Sequence, residues 1–177
     1  MRGIDLNKLV FLDESGAKTN MIRLYGRAPS GVRVIEHRPH GHWHTTTMLC
    51  AIRLRGVEAP MVIEGPMDSL VFRGWVEQCL TPTLDLGDVV VMDNLAPHKA
   101  KGVCESIESV GASVLYLPPY SPDFNPIESM WSKVKQHLRS AAARSAASLL
   151  TAIGTALRSV TLNDCRGFFR GCGYVAT

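Results

Sequence analysis

The sequence predicts a mixed α/β domain in which helices cover a sheet of antiparallel and parallel strands. Two short apolar runs, residues 9–12 and 89–92, are typical of buried strands. Each run leads directly into an acid, Asp13 or Asp93. Because open α/β sheets place ligand chemistry at the carboxyl ends of their strands, the two acids are candidates for one site.

Composition predicts an ordinary folded protein with one domain over residues 1–177. Hydrophobic residues make up 46% and charged residues 20% of the chain, and neither a signal peptide nor a bilayer-spanning run is recognisable. We therefore expect a cytoplasmic protein with no membrane partner. The five cysteines are odd in number and include no C-x-x-C pair, which favours reduced, mostly structural thiols.

Positive charge is concentrated in the second half of the chain. Residues 1–93 contain ten Lys or Arg against eleven Asp or Glu, whereas residues 94–177 contain nine against five. This bias suits a polyanion such as nucleic acid. On charge alone, a solvated helical face is the simpler interpretation.

The first predicted strand ends in two adjacent acids. Neighbouring residues of a strand point to opposite faces, so Asp13 and Glu14 are not expected to serve the same site if the strand continues that far. We select Asp13 as the candidate.

A long excursion, residues 15–43, follows the first strand and is rich in Gly, Pro, Arg and His. At its end His40, His42 and His44 alternate. In a strand they would share one face and could hold a transition metal. A polar face or a phosphate-contacting loop is the preferred alternative, because no Cys or carboxylate lies nearby with ligand spacing.

Two strands, residues 45–53 and 57–63, are predicted to form a hairpin around Arg55-Gly56. Pro60 argues for an edge position of the second strand, because proline cannot donate a ladder hydrogen bond. The domain therefore begins with three antiparallel strands.

The middle of the chain alternates helices and strands. Asp68 or Ser69 is the predicted N-cap of a helix with apolar residues at helical spacing. The strand at 89–92 follows, then a helix from about residue 98 to 110 with Gly111 at its C′ position, and a strand at 113–117.

The next helix contains the third acid. Asn125 is the predicted N-cap, Pro126 the first helical residue, and Glu128 the third, where a glutamate can complete a capping box. Taken alone, Glu128 is therefore better interpreted as a cap than as a catalyst. Apolar residues at helical spacing form the buried stripe of this helix: Ile127, Trp131, Val134 and Leu138. Glu128, Lys135 and Arg139 lie on an adjacent flank that could face DNA.

One last helix, residues 146–160, is expected to bury four residues, and a glycine-rich tail from Gly167 is expected to end the domain. The four residues are Leu150, Ile153, Leu157 and Val160. The complete order is the layering of a ribonuclease H-like domain with a five-stranded mixed sheet. Thirty-four residues separate Asp93 from Glu128, enough for one crossover unit that brings the two carboxylates together.

Three sequence blocks resemble the Tc/mariner superfamily of D-D-E transposases, in its bacterial insertion-sequence branch. They are LDES around Asp13, VMDNLAPHK around Asp93 and LPPYSPDFNPIE ending at Glu128. The resemblance extends to PHGHWHTTT at 39–47, GPMDSLVFRGWVEQCL, KVKQHLRSAAARS and GCGY, and it includes the spacing of the second and third acids.

The resemblance implies that Asp13, Asp93 and Glu128 are the catalytic triad and the metal ligands. Asn94, His98 and Asn125 match positions with supporting roles. Glu14 also matches the family, but no role is assigned to it. The basic residues expected to contact DNA are Lys99, Lys133, Lys135 and Arg139.

The implied chemistry is phosphoryl transfer with two Mg²⁺ ions, for which Mn²⁺ can substitute. The expected partners are double-stranded DNA, at transposon ends and at a TA target, and a second copy of the chain. Full-length members carry N-terminal helix-turn-helix modules. We expect this chain to lack them, because it begins close to its first catalytic strand, and an upstream polypeptide could supply them. The expected location is the bacterial cytoplasm, at the nucleoid.

The sequence leaves two alternative functions open. One is a nuclease of the same fold that cuts DNA without joining it. The other is an idle DNA-binding or regulatory remnant of a transposase, whose DNA affinity falls with salt and is indifferent to Mg²⁺.

Overall fold

The computed structural model describes residues 5–35, 37, 39–40 and 42–175. Its centre is a five-stranded sheet in the order β3-β2-β1-β4-β5, with antiparallel pairing among the first three strands and parallel pairing of β1 with β4 and of β4 with β5. This confirms the predicted mixed sheet. The strands are β1 (Leu9–Lys18), β2 (Thr45–Arg53), β3 (Gly56–Glu64), β4 (Val89–Met92) and β5 (Ser113–Tyr116).

Strand β1 is longer than the apolar run that predicted it. Its parallel pairing with β4 covers only Leu9 to Phe11, but its antiparallel pairing with β2 continues to Lys18. Asp13 therefore lies inside β1 rather than at its end, just beyond the last residue that pairs with β4. The prediction that the strand stops at the acid is wrong, because β2 supplies main-chain partners for the polar half.

The β2–β3 hairpin turns one residue earlier than predicted. Arg53 pairs with Gly56, so the two turn residues are Leu54 and Arg55. Strand β3 lies at the edge of the sheet, as Pro60 indicated.

Two short helices cover one face of the sheet. Helix α1 (Ser69–Trp75) is capped by Asp68, whose carboxylate accepts from the main-chain N–H groups of Leu70 and Val71. Further helical turns follow it as far as Thr83. Helix α2 (Val103–Ser109) is shorter than predicted. Residues Pro97–Lys99 form only an isolated 3₁₀ turn, and Gly102, with φ of 95°, separates that turn from the helix.

Three helices cover the other face: α3 (Pro126–Ala141), α4 (Ala146–Arg158) and α5 (Leu162–Gly171). Helix α5 was not predicted, because Gly167 lies in its middle and indicated a loop. Its Phe169 is fully buried and packs edge-on against Phe11 at 5.4 Å between ring centroids. In α4, Leu149 rather than Leu150 is buried.

The sheet separates two apolar cores, and β1 contributes to both by alternation. Leu9 and Phe11 belong to the core beneath α3, α4 and α5, whereas Val10 and Leu12 belong to the core beneath α1 and α2. The same alternation directs Asp13 towards the α3 side and Glu14 towards the α1–α2 side.

A buried ion-pair network lies at the end of the sheet away from the acids. Arg53, only 1% exposed, contacts Asp88 at 2.7 Å and Glu58 at 2.6 Å, and donates to the carbonyl of Thr83. All five cysteines are free thiols, as predicted. Within the described residues, no helix combines the length and apolarity needed to cross a membrane.

Candidate active site

The three predicted acids line one cavity of about 380 Å³ at the carboxyl ends of β4 and β5. Asp13 enters from β1, Asp93 from the residue after β4, and Glu128 from the first turn of α3. The remaining wall consists of Asn94, Leu95, Asn125 and the segment from Leu117 to Pro122.

Asp13 is the most deeply placed of the three acids. Its side chain is buried, with 8% of the residue exposed. Burial, followed by the charge of Glu14 and smaller contributions from Glu128 and Asp93, raises the pKa of Asp13 to about 8. Burial in this position therefore favours the neutral form of the Asp13 carboxyl.

Asp93 is held in place by two contacts to the same oxygen. Its Oδ1 accepts from the main-chain N–H of Leu95 at 2.9 Å and lies 2.6 Å from Nδ1 of His98. The second contact is an ion pair rather than an aligned hydrogen bond. Burial acts to raise the pKa of Asp93, but the His98 contact and the Leu95 amide outweigh it, and the pKa is lowered.

Glu128 does not complete the capping box that its position allows. The main-chain N–H of Asn125 donates to the carbonyl of Pro122 at 2.9 Å instead. Among the described residues, nothing donates a hydrogen bond to the Glu128 carboxylate, which is exposed at the cavity. The capping interpretation is therefore wrong.

The two predicted supporting asparagines lie at the cavity wall. The Asn94 amide donates to the carbonyl of Leu117, which ties the loop after β4 to the end of β5. Asn125 occupies the N-cap position of α3, but its side chain makes no capping bond. Its Oδ1 is buried without a partner among the described residues, and the residue also lines the cavity.

His98 is fully buried and touches two acids. Its Nε2 lies 3.0 Å from Oε2 of Glu14, and its ring packs on Phe72 at 4.5 Å between centroids. Burial acts to lower the pKa of His98, but the contacts with Asp93 and Glu14 outweigh it and raise the pKa to about 9. No role was predicted for Glu14; its alternation with Asp13 along β1 was the only signal in the sequence that it lies on the opposite face of the sheet.

The predicted DNA-contacting residues fall into two groups. Lys99 is exposed near the cavity, with Nζ 5.4 Å from the Tyr116 ring centroid, and Lys135 and Arg139 follow Glu128 along one flank of α3. Lys133 lies on the other flank, where its Nζ contacts Asp164 at 2.5 Å and the Ser159 carbonyl. Lys133 is therefore engaged away from the flank that carries Lys135 and Arg139.

The three alternating histidines do not lie in a strand. His40, His42 and His44 precede β2, which begins at Thr45. The transition-metal alternative thus lacks the shared strand face on which it depended. No three His, Cys, Asp or Glu side chains in the described part of the chain are grouped closely enough for a ready-made metal site.

The carboxylates nevertheless fit a hard cation. Mg²⁺ is commonly held by one or two carboxylates together with waters and substrate phosphates, rather than by a closed protein cage. The buried Asp13, with its raised pKa, and the unbonded Glu128 are oxygen ligands of this type. A divalent cation would favour the ionised form of Asp13.

Sequence comparison identifies the family. The profile of the family described as DDE superfamily endonuclease matches residues 8–150. Among curated proteins, the Tcb2 transposase of a Caenorhabditis briggsae transposable element is 32% identical over 88 residues, which is 48% of this chain and 32% of that protein. The Tcb1 transposase of the same organism is 28% identical over 104 residues, or 56% of this chain and 38% of that protein. The chain thus spans about a third of the length of these relatives.

Solved structures of Mos1 transposase have the same fold. The paired-end complex with the left transposon end aligns with a TM-score of 0.70 at 17% identity, over 95% of this chain and 52% of that chain. The Mos1 catalytic domain aligns with a TM-score of 0.68 at 16% identity, over 97% of this chain and 78% of that chain. These similarities confirm the predicted ribonuclease H-like fold.

The profile covers most of the chain, and the fold agrees with it. The chain therefore belongs to the DDE superfamily of endonucleases, and it is similar to transposases over part of their length.

Proposed function

We propose that this domain cuts DNA and joins the freed 3′ end to a target, as the catalytic domain of an insertion-sequence transposase. The observation that carries the proposal is the convergence of Asp13, Asp93 and Glu128 on one cavity. Carboxylates from β1, from the residue after β4 and from α3 that line one cavity suit metal-dependent phosphoryl transfer.

The acids divide the chemistry between them. Asp13 and Asp93 together would hold two Mg²⁺ ions, and Glu128 would complete one coordination sphere or orient the attacking water. When bound, the ions would activate the nucleophile and stabilise the departing 3′ oxygen in an in-line displacement. In the joining step, a DNA 3′-hydroxyl would take the position of the water, so no covalent protein–DNA intermediate is needed.

DNA would approach along the basic flank of α3. A second cavity, of about 410 Å³, lies on this flank and is lined by Arg23 and Arg139 among others. Lys99, Lys135 and Arg139 would contact DNA phosphates, since Lys99 follows Asp93 after β4 and the other two follow Glu128 along α3.

The wider setting is proposed from the sequence resemblance. The resemblance supports membership of the bacterial insertion-sequence branch and a TA dinucleotide as the target. The two relatives reported above come from a nematode. The Mos1 structures described as paired-end complexes support a pair of catalytic domains acting on two DNA ends. A helix-turn-helix module, on the same or on a separate polypeptide, would recognise the transposon ends.

The first test is nicking of supercoiled plasmid DNA with Mg²⁺ or Mn²⁺, followed by joining of an added duplex with a free 3′-hydroxyl. We expect nicking and joined product, and loss of both in Asp93→Asn with an unchanged circular dichroism spectrum. Asp123→Asn, which changes an exposed acid outside the cavity wall, should keep both. Nicking by Asp93→Asn at the wild-type rate would disprove the assignment.

The same assay separates the alternatives. A nuclease that does not join would nick the plasmid but give no joined product. An idle remnant would bind DNA with an affinity that depends on salt and not on Mg²⁺.

A further inference from the structure

We propose that Glu14 and His98 form a positioning pair, which holds the carboxylate of Asp93 in the orientation that binds the catalytic metal. This inference rests on the function proposed above and adds two residues to it. Neither is expected to touch the metal or the DNA.

The pair is built across the sheet. Asp13 faces the α3 side of β1, and Glu14 faces the opposite side, where α1 and α2 pack. His98, in the 3₁₀ turn after β4, reaches Oε2 of Glu14 with Nε2 at 3.0 Å and Oδ1 of Asp93 with Nδ1 at 2.6 Å. One imidazole therefore links the back of β1 to an acid at the cavity.

His98 has little freedom to leave this position. Its side chain is fully buried and its ring packs on Phe72. Its main-chain N–H donates to the carbonyl of Leu95, and its carbonyl accepts from the Tyr116 hydroxyl at 3.2 Å. Both ring nitrogens are engaged by carboxylates, so Glu14 fixes the ring and the ring fixes Asp93.

Asp93 needs such support because it lies outside its strand with a partly exposed side chain. It follows the last residue of β4, and its side chain is 40% exposed. The Leu95 amide and His98 both approach Oδ1, which leaves Oδ2 for the cavity. Groups that orient a metal ligand in this way commonly change metal affinity by about 10- to 100-fold when they are removed.

Glu14 variants test the positioning role without touching a ligand. Removing its charge alone would also affect Asp13, because Glu14 contributes to the raised pKa of that carboxyl. The decisive comparison is therefore Glu14→Gln against Glu14→Ala, which remove the same charge. The glutamine amide oxygen can still accept from Nε2 of His98, whereas alanine cannot.

His98 variants test the other half of the pair. The amide nitrogen of Asn can take the position of Nδ1 beside Asp93, whereas the amide of Gln lies near the position of Nε2 and reaches Glu14 instead. Both substitutions remove the imidazole, so they differ mainly in which acid they can contact.

The measured quantity is the affinity for Mn²⁺, determined from the electron paramagnetic resonance signal of free Mn²⁺. The melting temperature of each variant serves as a check on folding. We expect Glu14→Gln to bind Mn²⁺ about tenfold more tightly than Glu14→Ala, and His98→Asn about tenfold more tightly than His98→Gln. Glu64→Ala, which removes an exposed carboxylate from β3, should bind as the wild type does.

Equal Mn²⁺ affinities within both pairs, with Asp93→Asn weakened, would overturn the positioning pair and leave the proposed function intact. In that case Glu14 and His98 are structural, and only melting temperatures would differ. Equal binding by the wild type and Asp93→Asn, whether strong or undetectable, would overturn the metal assignment and the positioning pair with it.

Discussion

Glu128 makes no capping bond to Asn125, although it holds the third position of α3, where a glutamate commonly closes a capping box. The Asn125 N–H is already used by the carbonyl of Pro122. The 3₁₀ turn Pro122–Phe124 therefore performs the capping, and the Glu128 carboxylate is left for the cavity.

Glu128→Ala should abolish DNA cleavage and leave stability nearly unchanged. The carboxylate contributes no hydrogen bond within the described chain, so its removal costs the fold little. We expect the cleavage rate to fall by at least about 100-fold, in line with the loss of a group that acts on the reacting atoms. Plasmid nicking and thermal unfolding measure the two effects.

Glu105→Ala is the matched control, because the Glu105 carboxylate does bond to the N-cap amide of its helix. Its Oε2 accepts from the main-chain N–H of Gly102 at 2.9 Å at the start of α2. Its loss should lower the free energy of unfolding by about 0.5–1 kcal/mol and leave nicking intact. A stability loss in Glu128→Ala equal to that in Glu105→Ala would restore the capping role.

The basic residues on the two flanks of α3 should differ in their contribution to DNA affinity. Lys135→Ala and Arg139→Ala should each weaken binding to any duplex and reduce the salt dependence of log K by about one phosphate contact. Lys133→Ala should leave the DNA affinity unchanged, because its ammonium contacts Asp164, whose pKa it lowers to about 2. Fluorescence anisotropy at several salt concentrations measures the difference. A salt slope changed by Lys133→Ala alone would contradict the division of the two flanks.

The sheet and its acids were accessible from the sequence because their signals are local. Strand β4 has the predicted bounds, since four apolar residues stop at Asp93. The full length of β1 was not accessible, because its polar half depends on pairing with β2 across the excursion. Strand pairing of this kind leaves no periodic trace in either segment.

The supporting contacts of the site were less accessible still. Glu14 and His98 are 84 residues apart, and nothing near either residue indicates the other. The family resemblance drew attention to both positions but assigned Glu14 no role. Their contact depends on how tightly the 3₁₀ turn after β4 folds back on the sheet, which is a property of packing.

The unpredicted helix α5 should be essential for stability. Phe169 is fully buried, and its ring packs against the rings of Phe11 and Tyr174, which also contact each other. Phe169→Ala should lower the free energy of unfolding by about 3–5 kcal/mol through lost burial and the cavity left behind. Urea unfolding measures the change. Phe168→Ala, at a half-buried position, should cost less than half as much; equal losses would show that α5 does not depend on this contact.

Acid should weaken the end of the sheet opposite the cavity through Asp88. Burial acts to raise the pKa of Asp88, but the bonds from Arg53 and from the Asp85 N–H outweigh it, and the pKa is lowered. Since the folded pKa lies below the unfolded value of about 3.9, ionised Asp88 stabilises the protein above about pH 4. This contribution should be lost as the pH falls through the lowered folded pKa.

Asp88→Asn should remove that dependence. The variant leaves Arg53 buried with Glu58 as its remaining carboxylate, so we expect a loss of about 3 kcal/mol at pH 7. Between pH 5 and pH 3 its stability should change less than that of the wild type. Asp85→Asn, an exposed partner of Arg55, should cost about 0.5 kcal/mol. Urea unfolding at pH 7, 5, 4 and 3 tests this, and parallel pH profiles for the wild type and Asp88→Asn would exclude Asp88 as the source of acid sensitivity.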